Sequence, residues 1–132
     1  MQRVLFIQDR STGYTPLRMA LEGLGLEVHC ETPTQFVASG RWDEPLDLLV
    51  LDLDVQELPE GMRGWDVLRK FWEYNHSGTE PKVVVMSRFN DVGSRLLADI
   101  CAVSAYVLKP TLHDEIVLTV QRVLRLRGVS TP

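Results

Sequence analysis

The run Asp47-Leu48-Leu49-Val50-Leu51-Asp52 constrains the fold of this chain more than any other stretch: four aliphatic residues closed by a carboxylate, then Leu53-Asp54 and a polar loop. So short an apolar run, bounded by Pro45 on one side and by Pro59, Gly61 and Gly64 on the other, suits a central parallel strand covered on both faces. In open parallel sheets, functional groups collect beyond the carboxyl ends of the strands. Asp52 ends such a strand, so its carboxylate belongs at the rim of a crevice.

The rest of the chain alternates strand and helix patterns. Val4-Leu5-Phe6-Ile7 is a second apolar strand, ending in Gln8-Asp9. Thr15-Pro16 opens a helix with Leu17, Leu21 and Leu24 on one side and Gly25 as its C-terminal cap. Leu26 to Glu31 alternates apolar and polar residues, the mark of an edge strand, and Pro33 to Ser39 makes a short helix before a Gly40 to Pro45 connection. His29, alone on the polar side of that strand, reads as a surface group.

Trp65 to Tyr74 carries Leu68, Phe71 and Trp72 at helical spacing, a core-packing face, and Asn75 to Pro81 is a polar turn. Val83-Val84-Val85-Met86 is a strand ended by Ser87. Asn90 or Asp91 caps a helix carrying Leu96, Leu97 and Ile100, and Tyr106-Val107-Leu108 is a last strand ended by Lys109-Pro110. Thr111 and Asp114 form a capping-box signature for a final helix that faces the core with Ile116, Val120, Val123 and Leu124. The sum is an α/β fold, a doubly wound five-stranded parallel sheet of the flavodoxin-like type, with strand order 2-1-3-4-5.

Composition narrows the class. A chain of 132 residues with 45% hydrophobic and 24% charged residues is one domain with a real core. A formal charge of -4 gives no footprint for direct contact with nucleic acid or an anionic membrane. Arg122, Arg125 and Arg127 read as a solvated helix face. No apolar stretch approaches membrane-spanning length and Met1-Gln2-Arg3 begins no signal peptide, so the expected location is the cytoplasm. Cys30 and Cys101 lack metal-type spacing and read as buried free thiols.

In the order 2-1-3-4-5 the first and third strands are neighbours. Asp9 and Asp52 then converge at one edge, flanked by Ser87 and Lys109. Two carboxylates held together favour a hard divalent cation, and Mg²⁺ accepts one or two carboxylates while bridging to phosphate oxygens. A carboxylate is also a nucleophile that can form an aspartyl phosphate, for which Mg²⁺, Lys109 and the Ser87 hydroxyl would neutralise the transferred group.

With DLLVLD ending at Asp52, VVVMS ending at Ser87 and YVLKP containing Lys109-Pro110, in this order along the chain, the sequence resembles a response-regulator receiver domain of two-component signalling. The resemblance covers residues 1–127, leaving 128–132 as a C-terminal tail or the start of a linker. It implies that Asp52 is the phosphoacceptor and that Ser87 and Lys109 contact the phosphoryl group. It implies Mg²⁺ held by Asp9, Asp52 and the backbone carbonyl of Asp54, with Gln8 as a ligand through water, and Tyr106 as an aromatic switch acting with Ser87. The implied partner is a histidine kinase or a histidine phosphotransfer protein. The face of the fourth helix, fifth strand and fifth helix would carry partner contacts or a homodimer, with charge from Arg95, Asp99, Arg122 and Arg125. Any catalysis is limited to self-phosphorylation from phosphodonors and self-dephosphorylation, not metabolic chemistry.

Three departures shape the expectation. Gln8 stands where the family usually has an acid, which weakens Mg²⁺ binding. Arg88 follows Ser87 where a small residue is usual, and either covers the phosphoryl pocket or contacts phosphate. The loop from Leu53 to Gly64 is longer than usual and made acidic by Glu57 and Glu60; as an ordinary surface insertion it is tolerated at little cost. The resemblance also implies that Asp54 and Phe89 line the approach of water to the phosphoryl group, with Arg88 at the entrance, and obstruction by Phe89 would then favour a long-lived phosphorylated state. The alternative is a pseudo-receiver, a protein-interaction module independent of phosphorylation. A flavodoxin-like cofactor binder is disfavoured, because Asp9 to Tyr14 lacks a hydroxyl- and glycine-rich phosphate cradle.

Overall fold

A computed structural model describes residues 2–9, 15–39, 45–75, 80–109 and 113–125. In chain order the elements are β1 (Arg3–Ile7), α1 (Thr15–Glu22), β2 (Glu27–Glu31), α2 (Pro33–Ser39), β3 (Leu48–Asp52), α3 (Gly64–Tyr74), β4 (Lys82–Ser87), α4 (Val92–Ile100), β5 (Ala105–Leu108) and α5 (His113–Leu124). All strand pairs are parallel, in the expected order β2-β1-β3-β4-β5. Pro110, Thr111, Arg127, the tail 128–132 and most of the Asp9 to Tyr14, Gly40 to Pro45 and Asn75 to Pro81 connections lie outside the described residues.

The period-two alternation of side chains divides each strand between two core layers. Val4, Phe6, Leu48, Val50, Val84 and Met86 face α1 and α5, meeting Leu17, Leu21, Ile116 and Val120. Leu5, Ile7, Leu49, Leu51, Val83 and Val85 face α2 and α3, meeting Phe36, Val67, Leu68 and Phe71. β3 is buried along its whole length, as its uninterrupted aliphatic run requires. At the edge, β2 turns Leu26, Val28 and Cys30 inward, and His29 pairs outward with Glu27 at 2.9 Å.

The helix ends explain the helices. α2 is short, yet its start is a reciprocal capping box: Thr32 N–H donates to Gln35 Oε1 at 2.9 Å and Gln35 N–H to Thr32 Oγ1 at 3.1 Å, with Pro33 at the first helical position. Asp91, not Asn90, caps α4, accepting from Ser94 N–H at 3.1 Å. The Ser94 hydroxyl, which donates to Asp91 Oδ1 at 2.8 Å, and then the Ser94 amide hold the carboxyl below the ordinary aspartate value. Gly25 follows α1 at φ +85°, a backbone position suited to glycine, as expected of a C-terminal cap.

Leu96, Leu97 and Ile100 of α4 are turned to solvent, at 55%, 40% and 77% exposed, and the helix buries only Ala98. One feature differs from expectation. The two thiols are free but half-buried, and burial pushes the Cys101 thiol up.

Candidate functional site

Asp52 and Ser87 end their strands, and Asp54, Lys109 and Gln8 stand where a backbone bond carries the parallel ladder past a strand end. Leu53 N–H donates to the Met86 carbonyl at 2.8 Å, which prolongs β3 alongside β4 and brings Asp54 over the end of β4. Lys109 N–H donates to the Ser87 carbonyl at 2.8 Å, setting the lysine beside the serine. Gln8 N–H reaches the Glu31 carbonyl at 3.2 Å.

Asp52, Asp54, Ser87 and Lys109 come together. The Asp52 side chain is 7% exposed, and its Oδ1 accepts from Lys109 Nζ at 2.7 Å and from Asp54 N–H at 2.9 Å. Oδ2 takes part in neither bond. The Asp54 side chain is 8% exposed and lies over Ser87 and Lys109: Oδ1 is 3.4 Å from Ser87 Oγ, while Oδ2 is 2.9 Å from Arg88 N and 3.5 Å from Lys109 Nζ. The Arg88 side chain, 66% exposed, brings Nε to 3.5 Å from the same oxygen and its guanidinium to 6.0 Å from the Phe89 ring. Arg88 thus contacts a carboxylate of the chain itself and stays largely outside the pocket.

A second layer of bonds joins this pocket to Tyr106. Ser87 Oγ accepts from Phe89 N–H at 3.1 Å, and the Phe89 carbonyl accepts from Tyr106 Oη at 2.6 Å. The Tyr106 ring packs on the α2 and α3 side of the sheet and carries the Arg95 guanidinium 4.5 Å from its centroid. Phe89 itself is largely exposed.

Asp9 is engaged elsewhere. Its Oδ1 accepts from Gln56 N–H at 3.0 Å and from Glu57 N–H at 2.9 Å, and its Oδ2 from Gln56 N–H at 2.9 Å. The longer loop is therefore fastened over the strand ends. Thr34 Oγ1 donates to the Glu57 carbonyl at 2.8 Å, Val55 is buried, and Leu58 and Met62 pack on the α2 and α3 layer. It is not a loose insertion. Gly64 closes it, because a Cβ there would run into the carbonyl oxygen of Leu53.

Gln8 is buried, with no hydrogen-bond partner for its Nε2 among the described residues; the same holds for Glu31 Oε2. Burial raises the Glu31 carboxyl above the ordinary glutamate value. For Mg²⁺ the donor types fit: Asp9, Asp52 and the Asp54 carbonyl offer the hard oxygens it prefers. The arrangement does not gather them, since Asp9 is bound to loop amides and no three Asp, Glu, His or Cys side chains cluster for a metal among the described residues.

This sheet order with helices on both faces is the fold of response-regulator receiver domains. The chain superposes on a CheY-like receiver domain protein from Methanospirillum hungatei JF-1 with a TM-score of 0.75, at 17% identity over 95% of this chain and 94% of that one. For a two-component response regulator from Clostridium difficile the TM-score is 0.74, at 20% identity over 95% of this chain and 97% of that one. In sequence, 98% of the chain is 26% identical to the Regulatory protein AtoC of Escherichia coli (strain K12), of which it spans only 27%. No family model matches the chain. No helix among the described residues is long and apolar enough to cross a membrane.

Proposed function

We propose that the chain is a signalling receiver that accepts a phosphoryl group on Asp52. The observation that carries this reading is the buried Asp52 carboxylate at the end of the central strand, anchored through Oδ1 by Lys109 at 2.7 Å and with Oδ2 outside that bond. Oδ2 is the nucleophile. It forms a bond to phosphorus as the bond from phosphorus to the phosphohistidine nitrogen breaks, and the imidazole leaves with that electron pair. Lys109 and the Ser87 hydroxyl receive the charge on the equatorial oxygens. Mg²⁺, held by Asp9, Asp52 and the Asp54 carbonyl once Asp9 turns from the loop, would add charge neutralisation.

The donor would be a histidine kinase or a histidine phosphotransfer protein, in the cytoplasm. The output surface is the face of α4, β5 and α5, where Val92, Leu96, Ile100 and Leu118 are exposed beside Arg95, Asp99 and Arg122. The test is incubation with acetyl phosphate and Mg²⁺ followed by intact mass. One added phosphoryl group is expected on the wild type and none on Asp52→Ala; equal labelling of both refutes the assignment, as does failure of the wild type and Asp54→Ala alike to take the label. Sedimentation with and without beryllofluoride tests the homodimer.

One observation favours a second reading, a pseudo-receiver that works without phosphorylation. The donors an incoming phosphoryl group needs are already bonded to Asp54, and Asp9 is bonded to the loop. Partner binding unaffected by Asp52→Ala would establish that reading.

A further inference from the structure

We infer that the Asp54 carboxylate is an internal occupant of an oxyanion pocket, and that an external tetrahedral anion can enter only by displacing it. The inference concerns regulation of the site above, and only its labelling arm rests on the phosphoacceptor reading. The pocket consists of the Ser87 hydroxyl, the Arg88 amide and the Lys109 ammonium, three donors from two adjacent strand ends. Two of them are uncharged and one is a cation, a set that serves a tetrahedral oxyanion as well as a carboxylate. Asp54 contacts all three, at 3.4, 2.9 and 3.5 Å, and its side chain is 92% buried in doing so.

The carboxylate is delivered by local geometry. Asp54 N–H donates to Asp52 Oδ1, which closes a tight turn at the end of β3, and the Leu53 bond to the Met86 carbonyl steers the next residue across β4. An occupant tethered two residues from the reacting carboxylate competes at high effective concentration, so a free anion of ordinary weak affinity loses to it. The same contacts reach the switch. Asp54 holds the Ser87 hydroxyl and the Arg88 amide from one side, and Tyr106 holds the Phe89 carbonyl from the other. Residues 87–89 are thus clamped by the chain's own anion, and Tyr106 makes its bond to the Phe89 carbonyl without a phosphoryl group.

Removing the carboxylate leaves Lys109 paired with Asp52 at 2.7 Å, so Asp54→Ala leaves no lone buried charge and is expected to fold. Asp54→Asn keeps the shape and removes the charge. Three readouts are taken on the whole chain: hydrogen exchange of the Arg88 and Phe89 amides, binding of inorganic phosphate followed by amide chemical shifts, and labelling of Asp52 by acetyl phosphate with Mg²⁺. Exchange of both amides should quicken at least about tenfold in Asp54→Ala, and phosphate should bind at least about tenfold more tightly than to wild type, with Asp54→Asn between; each tenfold step is about 1.4 kcal/mol. Unchanged exchange together with equal phosphate affinity in all three proteins overturns the inference, whatever the labelling shows. Faster exchange and tighter phosphate binding without labelling of any protein leaves it standing and removes the phosphoacceptor reading.

Discussion

Lys109→Met isolates what holds the site together. The ammonium lies 2.7 Å from Asp52 and 3.5 Å from Asp54, two side chains that are 7% and 8% exposed, while its own side chain is 26% exposed. At an effective dielectric of about 20, a charge pair at the shorter distance is worth about 6 kcal/mol before desolvation. Removing one partner of a fully buried pair costs about 3–5 kcal/mol, and the partial exposure of Lys109 lowers that to roughly 2–4 kcal/mol. Methionine keeps the stem of the side chain, so little of the loss is packing. For a domain of this size the melting temperature should fall by roughly 10 °C. The discriminating measurement is a urea-denaturation cycle with Asp52→Asn, in which m must stay constant. Asp52→Asn alone relieves repulsion from Asp54 and should change stability by no more than about 1 kcal/mol. The double variant should then recover at least about 1 kcal/mol of the Lys109→Met loss, because the stranded charge is gone. Additivity within about 0.5 kcal/mol would refute the view that the pair is energetically coupled.

Other substitutions probe other parts of the molecule. Glu31 has its carboxyl raised by burial, so its stabilising share is present below the ordinary glutamate value and lost as pH rises through the raised one. Glu31→Gln should therefore raise the melting temperature at pH 7 and much less below about pH 4; an equal shift at both would show that charge is not the cause. Gly64→Ala forces a methyl against the Leu53 backbone and should cost about 1–2 kcal/mol by urea denaturation, since overpacking outweighs the helix-propensity gain; a neutral result would mean that the loop closure yields. Ala102 sits at φ 56° in the turn after α4, so Ala102→Gly should add about 0.5–1 kcal/mol, and any loss would contradict strain there.

Much of the frame was legible because burial on both faces leaves a plain signature. Leu48 to Leu51 and Val83 to Met86 have no polar position to spare, and their lengths, turns and intervening helices admit few sheet orders. The α2 start was legible too, in Thr32-Pro33-Thr34-Gln35, a capping box whose signature is as strong as the one read at Thr111 and Asp114. Leu96, Leu97 and Ile100 mark what periodicity leaves open. Helical spacing reports that apolar residues share a face, but not whether that face meets the sheet or the solvent, and here Ala98 alone turns inward. The Leu53 to Gly64 loop misled because its anchors are backbone amides received by a distant carboxylate, a partnership with no sequence pattern.

The same distinction governs the site. Position follows from register: Ser87 lies beside Lys109 and Asp54 lies over β4 because single ladder bonds fix them there. Partnership is a competition among anions for the same donors, and charge decides it. In the arrangement described, Asp52 and Asp54 set two negative charges against Lys109 and the exposed guanidinium of Arg88, so the site is close to neutral, while Asp9 is held apart by the loop amides. Converting Asp52 to an aspartyl phosphate would replace one negative charge by about two and leave the site about one charge negative. Turning the Asp54 carboxylate out to solvent would return it to about neutral and free the Ser87 hydroxyl and the Arg88 amide at the same moment. Displacement of Asp54 would therefore be favoured by the charge that replaces it, whereas among the described residues its contacts with Ser87, Arg88 and Lys109 all hold it in place. If Asp52 is phosphorylated as proposed, the site would answer to the phosphoryl group only against its own carboxylate, with the bond from Tyr106 to Phe89 already in place.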